Sequence, residues 1–112
     1  MKVAFNGIGH VSASFTAEGG EQGMVCKMAD NGKVIPCADG DAFVGVMELV
    51  RGDIAGVQLH GFAELDYTGT APGLGYTNLA ANGQGGVKVL SGGRAYLVVS
   101  VDTARMKTIV EL

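Results

Sequence analysis

The chain has 112 residues, 19 of them glycine, and a formal net charge of -3. That length suits one domain, and 17% charged against 47% hydrophobic residues excludes an intrinsically disordered chain. The eight basic residues are scattered with no two adjacent, which argues against sequence-independent nucleic-acid binding, and no apolar run approaches the length of a membrane span.

Lys2 is followed almost at once by Asn6-Gly7 instead of an apolar stretch, so no signal peptide is expected and synthesis in the cytoplasm is. From His10 to Ala17 the residues alternate, with Val11, Ala13, Phe15 and Ala17 on one face and His10, Ser12, Ser14 and Thr16 on the other. A period of two marks a half-buried strand. Gly19-Gly20-Glu21-Gln22-Gly23 reads as a hinge. It divides an N-terminal arm or first strand, 1–22, from a single β domain, 23–112. Further strands are expected at 24–29, 33–38, 43–50, 54–60, 62–67, 86–90, 95–101 and 107–112, with turn residues between nearly all of them. Glycine and proline interrupt the chain too often for helices. The expected fold class is therefore all-β: a compact barrel or sandwich, or a clip-like domain, of short antiparallel strands.

Asp30-Asn31-Gly32-Lys33 centres a two-residue hairpin turn, because Asn-Gly supplies the positive φ that such a turn needs. An unbroken ladder from it sets Asp30 against Lys33, Met28 against Ile35 and Cys26 against Cys37. The chain also carries a weak internal repeat. Asn31-Gly32 recurs as Asn82-Gly83, and AFVGVMELVRGDIAGVQL (42–59) aligns without gaps on AYLVVSVDTARMKTIVEL (95–112). The pseudo-repeats expected from this are 23–61 and 73–112.

Little of the sequence carries chemistry. Cys26 and Cys37 read as small buried hydrophobes in a reduced compartment. With His10 and His60 they lack the spacing of a zinc site, so no metal is expected. GxSxG is absent, as are GxGxxG and GxxxxGK[ST], and the glycine pairs read as turns and bulges. No catalytic residue and no cofactor are expected. One string, Leu65-Asp66-Tyr67-Thr68-Gly69, resembles part of the nucleoside motif of dUTP pyrophosphatases, though that family's Gly-Arg-Ser motif is missing and Gly93-Arg94-Ala95 is the nearest string. A low charge content with many hydrophobic residues suggests apolar surface buried against a partner, including copies of the chain itself.

The order of several short motifs extends over most of the chain. Gly23-Met24-Val25 is followed by Gly32-Lys33-Val34, then Gly40-Asp41 leading to Val44-Gly45-Val46, then Val57-Gln58-Leu59-His60-Gly61. This order resembles the small capsid decoration, or cement, proteins encoded in tailed-phage head-gene clusters. The resemblance implies a non-enzymatic virion protein on the capsid exterior, a homo-oligomer with the trimer favoured, whose partner is the major capsid protein. It also implies a docking arm, for which Phe5, Val11 and Phe15 are the candidate contacts. Val11 and Phe15 read equally as part of the domain's own first strand. The competing readings are a small-molecule-binding or regulatory β domain and, last, a dUTP pyrophosphatase-like enzyme.

Overall fold

The computed structural model describes residues 9–112. Ten strands and no helix lie among them: β1 Val11–Ala17, β2 Val25–Asp30, β3 Lys33–Pro36, β4 Gly45–Arg51, β5 Ile54–His60, β6 Phe62–Asp66, β7 Gly75–Ala81, β8 Val87–Val89, β9 Arg94–Asp102 and β10 Lys107–Glu111. The all-β class expected from the pattern is the one observed. Nine of the strands fall on expected segments, and β7 is the addition. Gly75-Tyr76-Thr77-Asn78-Leu79-Ala80-Ala81 mixes two good strand formers with glycine, asparagine and alanine. Its pairing with both β8 and β9 makes it a strand where its own propensity does not.

The strands form two sheets of one design. The first is a closed barrel in the order β1-β3-β2-β4-β5, and the second is a five-stranded sheet in the order β6-β10-β9-β7-β8. Adding five to each strand number of the first reproduces every neighbour of the second. Even the parallel closure recurs: β1 meets β3 through Ala17↔Val34, and the chain just after β6 meets β8 through Tyr67↔Val87. Cross-strand rows correspond as well. Thr16–Ile54–Arg51 in the first sheet matches Asp66–Lys107–Asp102 in the second, and both sheets carry a bulge at the same place, Glu48 and Val99. A shared bulge points to a tandem structural repeat, 11–60 and 62–112, because bulges belong to a fold and do not follow from composition. The ungapped alignment holds for β5 on β10 but puts β4 on β9 two residues out of step. Arg51 pairs with Ile54 across a two-residue turn, whereas Asp102 pairs with Lys107 across four.

The β2–β3 hairpin turns where expected, yet its register differs. Asp30 faces Lys33, but a bulge at Ala29 then sets Met28 against Val34, Lys27 against Ile35 and Cys26 against Pro36. An unbroken ladder would have opposed the two cysteines; the extra residue on β2 removes that pairing. Both thiols are free and buried, and they belong to different clusters.

Two apolar clusters hold the repeats. The barrel interior contains Ala17, Cys26, Val34, Met47, Ala55 and Val57, all buried. The larger cluster covers one face of the second sheet and extends to Val25, Cys37, Phe43 and Val46 of the first repeat. Phe43 stacks on Tyr96 with ring centroids 4.8 Å apart, and the Tyr96 hydroxyl donates to the Phe43 carbonyl at 3.3 Å. Backbone bonds cross the same seam: Gly40 N–H donates to Ala81 O at 2.8 Å, and Ala81 N–H donates to Asp41 O at 2.9 Å. The two repeats therefore share one core.

Candidate functional site

Of the three residues expected to contact a partner, Phe5 lies outside the described residues. Val11 and Phe15 sit on β1, which pairs antiparallel with β5 from Val11↔His60 to Thr16↔Ile54. The alternation read from sequence is the one seen, with Ala17 buried and Ser12, Ser14 and Thr16 exposed. Phe15 packs against the barrel's own interior cluster. Val11 lies beyond a register shift at the start of the strand and is 49% exposed. The structure thus sends these two side chains to different environments.

A cleft of about 500 Å³ opens between the repeats, lined by His10, Gln22, Glu48, Gln58, Phe62 and Glu64 among others. Glu48 reaches it because it is the bulge residue of β4, turned out of the ladder. His10 Nε2 stands 2.7 Å from Glu48 Oε1 and 2.9 Å from Ser12 Oγ, while the Ser12 hydroxyl donates to the same carboxylate oxygen. A nucleophilic triad places the hydroxyl and the carboxylate on opposite ring nitrogens. Here both meet one nitrogen, so the arrangement is a clasp holding the start of β1 to β4. Gln58, 6% exposed, donates to the carbonyls of His60 and Phe62 and fixes the tight link between the repeats.

Sequence reasoning gave no weight to the outward faces of the sheets. Tyr76 is 79% exposed, Leu74 72%, Leu49 55% and Ile54 54%. Leu49 and Ile54 flank a surface groove of about 270 Å³ that Ser14, Arg51 and Gly56 complete. Periodicity places Leu49 and Arg51 on one face of β4. It does not identify that face as outer, because Val46, Met47 and Val50 make the strand apolar on both sides.

Other candidates have structural roles. Burial pushes the Cys26 thiol up to about 12 and the Cys37 thiol up to about 11, so both are poor nucleophiles. Lys27 Nζ donates to Asp41 Oδ2 at 2.6 Å, and Ala38 N–H donates to the same oxygen at 2.9 Å. These bonds hold the Asp41 carboxyl below the usual range and brace the loop that crosses to Ala81. Asp66 accepts from Lys107 Nζ at 2.6 Å, and Tyr67 is 3% exposed within the shared core. A ring so buried offers no face to a nucleoside. Among the described residues no group of three or more His, Cys, Asp or Glu could hold a metal ion, and no helix is long and apolar enough to cross a membrane. No family model and no curated protein matches the chain.

Proposed function

We propose that the chain is a non-enzymatic structural protein of a tailed-phage particle, a homo-oligomer that binds the capsid exterior and stabilises the head. One observation supports this reading beyond the motif order. Large apolar side chains stand on the outward faces of the sheets, Tyr76 at 79%, Leu49 at 55% and Ile54 at 54% exposure. Leu49 and Ile54 share one groove with Arg51, and an apolar patch rimmed by a polar group suits contact with another protein, with arginine and aromatic side chains as anchors. The partners are copies of the chain and the major capsid protein.

The test is a quantitative protein inventory of particles purified from the source strain on a density gradient. The proposal expects hundreds of copies of this chain per particle, co-migrating with the capsid and released by mild chaotrope. Recovery only in the soluble fraction overturns it.

A second reading draws on the cleft between the repeats, where His10, Glu48 and Glu64 converge. It makes the chain a small-molecule-binding or regulatory domain, since ligand sites are concave with a few convergent polar groups. Thermal stabilisation in a ligand screen that disappears in Glu48→Gln would favour it over assembly.

A further inference from the structure

The repeat allows the two outer faces to be compared position by position, and they have diverged toward complementarity. In the first repeat, the two outer rows nearest the β4–β5 turn are Thr16–Ile54–Arg51 and Ser14–Gly56–Leu49. Their counterparts in the second repeat are Asp66–Lys107–Asp102 and Glu64–Ile109–Ser100. Charge differs in sign between them. Arg51 is the sole charge in the two rows of the first face, and it makes no ion pair among the described residues. The second face sets three carboxylates against one ammonium, and that ammonium is already committed to Asp66 at 2.6 Å. Glu64 forms no ion pair among the described residues either.

Shape differs in the same complementary sense. The central position of the first face is Gly56, which leaves the groove of about 270 Å³ between Leu49 and Ile54. The central position of the second face is Ile109, a branched apolar side chain that is partly exposed. One face offers an apolar hole with a free cation at its rim. The other offers a partly exposed isoleucine flanked by Glu64 and Ser100, with Asp66, Lys107 and Asp102 in the next row.

We propose that these faces are the two halves of a self-contact: the β4–β5–β1 face of one copy takes the β6–β10–β9 face of a second copy, with Ile109 in the Gly56 groove and Arg51 among Glu64 and Asp102. The contact is heterologous, since different patches meet, so it closes into a ring or propagates as a filament according to the rotation between copies. Opposite charge fixes its polarity, because two first faces offer only cations and two second faces bring carboxylates together. The inference deepens the assembly reading by naming the surfaces through which copies meet.

The experiment is a complementation in solution, read by sedimentation velocity. Wild-type protein should sediment as an oligomer at tens of micromolar, more weakly as salt is raised. Leu49→Glu blocks the first face, and Ile109→Glu blocks the second. Both positions lie outside the two buried clusters, and melting curves matched to wild type verify the fold. Each variant alone should be monomeric. An equimolar mixture should give a one-to-one dimer and nothing larger, because one open face remains on each partner. The inference is overturned by a monomeric wild type, by variants that assemble as wild type does, or by a mixture that stays monomeric. Particle binding is measured separately, so a chain that binds capsids without self-association defeats this contact and the homo-oligomer while leaving the capsid-binding part of the proposed function standing.

Discussion

Cys26 and Cys37 show how far single residues can be read from the sequence. Their type and the reduced compartment expected for the chain indicate small buried hydrophobes, and both are buried and free. Their relation to each other was not legible, because it depends on one bulge residue, Ala29, that no local signal marks. Burial raises Cys26 to about 12 and Cys37 to about 11 from an ordinary 9.0. A folded value above the unfolded one means that the stability carried by the neutral thiols is complete below the ordinary value. It is lost as pH rises through the two raised ones. At pH 8, well below both, a disulfide reagent is expected to label neither thiol of the folded protein over minutes and both at once in denaturant. Immediate labelling of either in the native protein would contradict their placement. The same residue-level reasoning left Glu48 unnoticed, since only the bulge brings it to His10 and Ser12.

At the scale of elements, nine strands could be found from alternation and turn residues because their patterns repeat every second residue against glycine-rich breaks. β7 lacked that pattern and is held by partners on both sides. Glycine itself was read only as turn chemistry, which misses its second use. Gly45 lies inside β4, where a Cβ would stand 2.3 Å from the Gln58 carbonyl oxygen and 2.7 Å from Val57 Cγ1. The close crossing of β4 and β5 therefore requires a missing side chain at that point. Gly45→Ala should destabilise the fold by about 1–3 kcal/mol, the usual cost of overpacking. Gly56→Ala is the control, since its Cβ would meet only Leu49 Cβ at 3.9 Å, and it should fall within about 0.5 kcal/mol of wild type. Chemical denaturation of both variants checks the contrast, and equal loss in the two would refute this account of Gly45.

At the scale of the molecule, the internal repeat is legible in the alignment of 42–59 on 95–112, but the bounds expected from it, 23–61 and 73–112, leave out the first strand of each unit, β1 and β6. The repeats share little sequence identity but the same strand order, parallel closure and bulge position. These are the features a fold keeps when its surface changes. The shared cluster around Phe43, Val46, Tyr96 and Val98 binds the repeats into one body. The repeated design also places two related outer faces of opposite character on one short chain. The string at Asp66 has structural roles: the exposed Asp66 carboxylate closes an ion pair with Lys107 and Tyr67 fills the core. The most direct measurement of the central claim, that this chain works by surface assembly on a phage head, is a binding titration. On the proposed reading, phage heads made without this chain would be titrated with purified protein, following exterior occupancy and rupture temperature together. The account predicts saturation at a fixed number of copies per capsid subunit, with a rise in rupture temperature that tracks occupancy. Heads that bind no protein, or that rupture at an unchanged temperature when saturated, would contradict it.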